Sequence, residues 1–461
     1  MNDGTEDDAA RPGNGSGRPQ PDRRTKGPDP WRDIRFSIGG RRGSYAFRPG
    51  EILVDRGAVG RARELSAGRE IRDHAVTRDI ALVTGIDDAA QLPERLRTSG
   101  YRAQPNYAVF ATGSPLVHGN PATWGSPATW GCGGCRCGGH LPVGCGANGT
   151  ATLEQRTAPQ RNLARREAYD GALWRDGDTS AAATVRIVVL DTGLATDDLC
   201  GDHVGVVVRD PEPWGPTKYD PSLPAPHPYT LTDNFDHPDE NSDQWLDPVS
   251  GHGTFIAGLL RRLAHGVSVE LGRVLETTGE GNDADLAFRI GLLADDPPDL
   301  LCLSLGCYTD DDVAPLGMST AIAALQAKGT VVVASAGNDA SCRVSWPAAL
   351  PGVVSVGALG PHGPAPFTNF GSWVRASAPG IEVVSSFFEG VDDDGDGVLT
   401  SESFSGWASW SGTSFSAPIV SSAIAREMLL YGIDASAAVS RVVDDERLFR
   451  FPGLGTVVNL H

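Results

Sequence analysis

The chain has 461 residues, 40% of them apolar, so it can bury a large core together with a smaller one. Its formal net charge of −19 excludes a typical nucleic-acid binder and disfavours anionic membrane surfaces. No apolar stretch approaches the length of a membrane-spanning helix. Residues 1–44 are predicted to be a disordered tail, rich in Gly, Pro and Asp at its start and without the apolar run of a secretory signal. We therefore expect a cytoplasmic location, with secretion as the alternative.

Residues 45–112 are predicted to form a small α+β domain. Its predicted elements are, in chain order, a strand at 51–54, a helix at 59–67, a strand near 69–76, a strand at 80–83, a helix at 89–99 and a strand at 101–111. This β-α-β-β-α-β order is the split ferredoxin-like pattern. An unrelated small α+β domain is the alternative interpretation.

Residues 113–159 are predicted to be a linker rich in Gly, Trp and Cys. A Pro-Ala-Thr-Trp-Gly sequence occurs twice, at 121–125 and 127–131, and cysteines follow it. One Cys-x-x-Cys pair with a nearby His140 could supply zinc ligands, although Gly-rich flanks cannot build a core around a metal. A cleavable linker is the favoured interpretation, and metal binding, disulfides and free thiols all stay open for Cys132, Cys135, Cys137 and Cys145.

Three segments further along carry residues that could act together in nucleophilic catalysis. A buried-strand pattern at 185–190 runs into Asp191, glycines flank His252 before an apolar helix, and a Gly-Thr turn precedes Ser414 at another helix. Alone, each residue also fits a structural role, because carboxylates, imidazoles and hydroxyls often cap turns and helices. Their order, Asp-His-Ser, is nevertheless the order found in subtilisin.

Two more segments support the same interpretation. Residues 330–338 read as a buried strand that ends in Gly337-Asn338, and residues 301–306 as a strand edge. With the Asp-Thr-Gly, Gly-His-Gly-Thr and Gly-Thr-Ser-x-x-Ala-Pro motifs, the region 160–461 resembles the subtilisin-like serine protease family. The resemblance implies an α/β fold with a doubly wound, mainly parallel sheet, preceded here by the smaller ferredoxin-like domain.

The resemblance also implies an activity and a mechanism. The chain would be a serine endopeptidase that hydrolyses a polypeptide through an acyl-enzyme and needs no cofactor. Asp191 would orient His252, His252 would take the proton of Ser414, and Asn338 would donate to the oxyanion. The Asn at position 338 favours a near-neutral pH optimum. The residues expected to bind the substrate are Ser304, Leu305, Gly306, Ser335, Ala336 and Gly337.

By the same resemblance, the domain at 45–112 is similar to a propeptide. It would act as an intramolecular inhibitor of a self-processing zymogen, with cleavage between Ala111 and about Arg161. Two alternatives remain, a catalytically restrained binding or scaffold protein and a protease dedicated to one intracellular substrate.

An acidic cluster could hold a structural calcium ion. Asp392, Asp394 and Asp396 before Gly397 match the first half of a calcium loop, but Ser403 stands where the closing acid belongs. A solvated acidic loop is the alternative. Two further expectations concern the catalytic region: residues 210–247 should form a surface loop, and Cys307 and Cys342 should be either a disulfide or buried thiols.

Overall fold

A computed structural model describes residues 34–40, 43–66, 70–87, 89, 91–111, 160–161, 185–195, 207–208, 234–240, 246–389 and 404–458. Several predictions therefore fall outside the described residues. These are the tail before Ile34, the linker at 113–159 with its four cysteines, and the calcium candidates Asp392, Asp394 and Asp396.

The N-terminal unit is a sheet with helices that has the predicted order of elements. Its elements are β1 (Arg35–Gly40), β2 (Gly43–Asp55), a 3₁₀ turn (Arg56–Ala58), α1 (Val59–Leu65), β3 (Arg72–Ala75), β4 (Ile80–Thr84), α2 (Leu92–Thr98) and β5 (Ala103–Ala111). The strands β5-β2-β4-β3 lie side by side and every neighbouring pair is antiparallel. Ile52, Val54, Val83 and Leu96 pack together between this sheet and the helices.

Strand β1 lies inside the range that was predicted to be a disordered tail, so that prediction is wrong for residues 35–40. The strand pairs antiparallel with β2, and Phe36 stacks on Phe110 of β5 with ring centroids 6.2 Å apart. Ile34 and Ala46 belong to the same buried cluster as Phe110, and Phe36 packs against it. A six-residue strand with only two large apolar residues, Phe36 and Ile38, carries little signal of its own, because its stability comes from pairing with β2.

The larger unit alternates strands and helices. Its first strands are β6 (Gln160–Arg161), β7 (Val185–Asp191), β8 (Leu194–Ala195), β9 (Val207–Val208), β10 (Phe235–Asp236), β11 (Val267–Arg273), β12 (Glu280–Asn282), β13 (Leu300–Leu303) and β14 (Leu305–Gly306). Later strands are β15 (Val331–Ser335), β16 (Val354–Gly360), β17 (Gly363–Pro364), β18 (Ala376–Pro379), β19 (Val383–Glu389), β20 (Ser405–Trp410), β21 (Arg450–Phe451) and β22 (Gly455–Val457). The helices are α3 (His252–Leu263), α4 (Asp283–Leu293), α5 (Leu316–Gln326), α6 (Thr413–Tyr431), α7 (Ala435–Val439) and a π-helical turn (Ser440–Asp444).

The main sheet has the order β22-β18-β16-β15-β13-β7-β11-β9, and all of these neighbours are parallel. The chain leaves β7 toward β11 on one side and returns to β13 on the other. The carboxyl ends of β7 and β13 therefore form the topological switch point, where α/β sheets place their sites. The mainly parallel α/β fold agrees with the expectation.

The core of the larger unit is built from β-branched and leucine runs that are buried on both faces. Ile187, Val188 and Val189 of β7 and Leu301 of β13 are fully buried. Burying one such side chain contributes about 1.5–3 kcal/mol, so these strands hold the switch point rigidly. Among the helices of the described residues, none has both the length and the apolar character needed to cross a membrane.

Candidate active site

Asp191 is the last residue of β7 and lies at the switch point, fully buried. Its Oδ1 accepts a hydrogen bond from the backbone N–H of Thr192 (2.8 Å). The same oxygen lies 2.7 Å from His252 Nδ1. A carboxylate in this position fixes the imidazole in the tautomer that carries its proton on Nδ1, which leaves Nε2 able to accept a proton.

His252 is the first residue of α3, and its ring is held by aromatic neighbours. Trp410 contacts it edge-on, with centroids 5.3 Å apart, and Phe415 lies 5.4 Å away. Gly251 precedes it with φ +78°, and a Cβ there would overlap the ring of Phe387. Glycine is therefore required before the histidine both for its backbone angle and for space.

Gly253 follows the histidine, and a Cβ there would overlap the carbonyl oxygen of Gly193. We expect Gly253→Ala to destabilise the fold by about 1–3 kcal/mol, because a packed backbone must shift to admit the methyl group. Gly291→Ala in α4 is the matched control, since nothing lies within 4 Å of its added methyl. It should stabilise by about 0.5–1 kcal/mol. Urea unfolding measures both changes, and a Gly253→Ala variant as stable as wild type would contradict the close packing.

Ser414 is the second residue of α6, so its backbone N–H belongs to the unpaired first turn of the helix. Pro418 stands four residues later and has no N–H to bond the Ser414 carbonyl. The Ser304 hydroxyl donates to that carbonyl instead, at 2.8 Å, and the Ser414 hydroxyl lies 3.4 Å from the Ser304 carbonyl oxygen. The end of β13 therefore holds the serine through two contacts.

Asn338 lies two residues beyond Ala336, in the turn that follows β15, and it is fully buried. Its Oδ1 accepts from the backbone N–H and the hydroxyl of Thr413, both at 2.9 Å. These contacts fix the carboxamide so that Nδ2 is the free end. The Asn338 side chain is thereby tied to the residue directly before Ser414.

Two buried nitrogens of this site, His252 Nε2 and Asn338 Nδ2, have no hydrogen-bond partner among the described residues. An unsatisfied buried polar group costs about 1–3 kcal/mol, so such groups need an explanation. Here the two are the atoms that proton transfer and oxyanion binding require. The arrangement can accept a proton at Nε2 and donate to a developing oxyanion from Nδ2 and the first turn of α6.

The predicted substrate-binding residues border this site. Leu305 and Gly306 form β14, Ser335 ends β15, and Ala336 and Gly337 follow it; all five are buried. The Gly337 N–H donates to Thr413 Oγ1 at 3.2 Å, which joins this segment to the start of α6.

Strand β5 of the N-terminal unit fills the space between β12 and β14. It is antiparallel to both, with Val109 opposite Gly281, Phe110 opposite Gly306 and Ala111 opposite Leu305. The Ala111 N–H also donates to the Gly279 carbonyl at 2.9 Å. Val109 and Ala111 are fully buried in the core cluster of the larger unit. Because Ala111 is opposite Leu305, β5 ends one residue before the position opposite Ser304, whose carbonyl contacts Ser414.

The N-terminal unit also binds the starts of two helices. Asn106 Oδ1 accepts from the Ala284 N–H of α4 at 3.2 Å, and Gln104 Oε1 accepts from the Leu316 N–H of α5 at 2.6 Å. Both donors belong to first turns, whose N–H groups have no partner within the helix. A third contact comes from Arg343, which donates to the Ser44 carbonyl at 2.7 Å.

Three carboxyl groups are buried near the contact between β5 and the larger unit. Burial raises the pKa of Glu280 to about 7, and it raises the pKa of Asp283 and of Asp285 to about 6. Hydrogen bonds from Gly317 and Met318 to Asp283 oppose part of that rise. The burial of these three carboxyl groups is not predicted by the sequence.

Two expectations about the larger unit need comment. Part of the range predicted to be a surface loop, 210–247, is buried: Asp236 is fully enclosed and Asp247 nearly so. That prediction is wrong at these residues, because Asp236 lies in β10, which pairs with β8. Cys307 and Cys342 are buried thiols without a disulfide between them, one of the two predicted outcomes.

Comparison with known protein families shows that residues 182–442 match the model of the subtilase family. The thermophilic serine proteinase of Bacillus sp. (strain AK1) is 33% identical over 31% of this chain and 38% of its own length. Halolysin from Haloferax mediterranei is 28% identical over 53% of this chain and 41% of its own length. The chain thus spans about two-fifths of these relatives.

Among solved structures, fervidolysin from Fervidobacterium pennivorans, described as a keratinolytic enzyme related to subtilisin, matches with a TM-score of 0.55 and 19% identity. The match covers 90% of this chain and 60% of that one. At this identity the likeness concerns the fold alone.

Proposed function

Because this chain belongs to the subtilase family, we propose that it is a serine endopeptidase in which Asp191, His252 and Ser414 form the catalytic triad. The observation that carries the proposal is the 2.7 Å contact between Asp191 and His252, with His252 Nε2 left unpartnered among the described residues. The buried carboxylate, the oriented imidazole and a serine at a helix start are the parts that acyl transfer requires.

The reaction follows from these positions. Ser414 Oγ attacks the substrate carbonyl carbon while His252 Nε2 takes the hydroxyl proton. The substrate oxygen becomes an oxyanion that accepts from Asn338 Nδ2 and the Ser414 N–H. The tetrahedral intermediate collapses, the C–N bond breaks, and His252 returns its proton to the leaving amine. Water then attacks the acyl-enzyme with the same base and frees the serine.

We also propose that the N-terminal unit inhibits the enzyme before processing. The pairing of β5 with both β12 and β14 supports this, because an antiparallel peptide in that position is bound as a substrate would be. Val109 and Ala111 bury their side chains in the larger unit, which leaves no room for a second chain there. The contacts of Gln104, Asn106 and Arg343 hold the unit in place.

Self-processing is expected close to the end of β5. Leu305 opposes Ala111, and the carbonyl of the preceding Ser304 lies 3.4 Å from the Ser414 hydroxyl. An unbroken register would therefore present the Thr112–Gly113 bond to Ser414. Mass spectrometry of purified wild type should find a fragment that ends at residue 112, and Ser414→Ala should stay full-length.

The outcomes of that measurement separate two hypotheses. Cleavage elsewhere in 113–161 that still depends on Ser414 would keep self-processing and contradict the assigned bond. Identical full-length masses for wild type and Ser414→Ala would contradict self-processing itself. Hydrolysis of casein by wild type, compared with Ser414→Ala, tests the peptidase activity independently.

A further inference from the structure

Asp236 is a fully buried acid that the mechanism above does not use. It ends β10, which pairs in parallel with β8, so Asp236 lies opposite Ala195. Its Oδ1 forms no hydrogen bond with any described residue. A buried carboxyl group of this kind costs free energy, so it is expected to be present for a reason.

The other carboxyl oxygen joins the two halves of the candidate triad. Asp236 Oδ2 accepts from the Thr192 hydroxyl at 2.6 Å and from the Gly251 N–H at 2.8 Å. Thr192 directly follows Asp191, and Gly251 directly precedes His252. The Thr192 hydroxyl in turn accepts from the Gly253 N–H at 3.0 Å, on the other side of the histidine.

We propose that Asp236 is a positioning residue that locks the Asp191 turn to the start of the His252 helix, acting as a hydrogen-bond acceptor and not as a charge. The proposal rests on the proposed function, because it concerns the geometry of that triad. A single oxygen, bonded through Thr192 and Gly251, sets the separation of the two residues whose contact orients the imidazole. Small misplacement of such groups costs about 10²-fold in rate.

The surroundings favour the neutral form of Asp236. Burial raises the pKa of this carboxyl well above its usual range, and the nearby Asp191 raises it further. The bonds from Thr192 and Gly251 and the charge of Arg273 on β11 oppose the rise. Arg273 is itself paired with Glu240 and Glu276, which weakens its pull. A neutral carboxyl group keeps Oδ2 as an acceptor, and the hydrogen bonds from Thr192 and Gly251 need nothing more.

The test compares Asp236→Asn with Asp236→Ala by the rate of fluorophosphonate labelling of Ser414 across pH, in each purified form of the protein. Asp236→Asn keeps an acceptor oxygen, so its Ser414 should be labelled at a rate within about fivefold of wild type, and the acid limb of the pH–rate profile should keep its midpoint. Asp236→Ala removes the acceptor for Thr192 and Gly251, so its Ser414 should be labelled about 100-fold more slowly. An unchanged rate in Asp236→Ala would overturn the proposal. So would an Asp236→Asn variant as slow as alanine, or one with a shifted acid limb, because either result would assign the role to charge.

Thr192 gives a second test that does not depend on the folding of Asp236→Ala. Thr192→Ser keeps the bridging hydroxyl and should label within about fivefold of wild type, whereas Thr192→Val should lose about as much as Asp236→Ala. Because both residues act through one bridge, the double variant Asp236→Ala/Thr192→Val should be no slower than either single variant. A Thr192→Val rate equal to wild type would overturn the inference alone. Absence of labelling in wild type would instead contradict the proposed function on which it rests.

Discussion

Ser414→Ala is expected to lower kcat for peptide hydrolysis by about 10⁶-fold, while KM changes little. The reason is that the hydroxyl is the only proposed nucleophile, and the imidazole and the carboxylate act only through it. The measurement is steady-state hydrolysis of a casein-derived fluorogenic peptide by the processed enzyme. Because the variant is not expected to process itself, its N-terminal unit should be removed with a second protease that is then inactivated.

Ser416→Ala is the matched control for this prediction. Ser416 is also buried in the first turns of α6, and its hydroxyl bonds the Ala378 carbonyl at 3.0 Å. Losing that bond should cost about 1 kcal/mol of stability and leave kcat within about tenfold. If Ser416→Ala lost as much activity as Ser414→Ala, the loss would reflect damage to the helix and not removal of a nucleophile.

Asn338→Ala is expected to lower kcat by about 10²–10³-fold with KM nearly unchanged, because Nδ2 binds the oxyanion and not the ground-state carbonyl. Thr413→Val serves as the control. It removes one of the two contacts to Asn338 Oδ1 and the acceptor of the Gly337 N–H, but it leaves Nδ2 and the Thr413 N–H bond in place. Its kcat should fall by less than about tenfold. A large rise in KM with unchanged kcat in Asn338→Ala would assign this residue to substrate binding.

Much of the site was predictable because its residues lie at the ends of strongly patterned elements. Asp191 closes a run of buried β-branched residues, and Ser414 opens a long apolar helix, so their motifs could be placed in the fold from local sequence alone. The boundaries of β4 and β5 in the N-terminal unit are predicted to within two residues for the same reason, whereas the strand predicted at 51–54 is only the end of β2. In each case the residues that form the element are also the residues that create its sequence pattern.

The features that could not be predicted depend on contacts between distant parts of the chain. Asp236 stands in a stretch rich in Asp and Pro, where an exposed loop is the ordinary expectation, and only pairing with β8 buries it. The role of Ser304 toward the Ser414 carbonyl needs both the missing N–H of Pro418 and the position of β13. The register of β5 between β12 and β14 is likewise set by tertiary pairing.

The docked N-terminal unit changes how the site should be understood. Its last strand lies between β12 and β14, and its side chains bind the starts of α4 and α5. If the proposed inhibition is correct, activity is controlled by release of this unit, and the triad itself needs no rearrangement.

Peptide mass spectrometry of the protein after fluorophosphonate treatment tests directly whether Ser414 is the nucleophile. We expect one adduct, on Ser414, in at least one purified form of the wild-type protein. We expect no adduct in Ser414→Ala and much slower labelling in His252→Ala. Absence of an adduct on Ser414 in every purified form, while a subtilisin control is labelled under the same conditions, would contradict the role of Ser414 as the nucleophile.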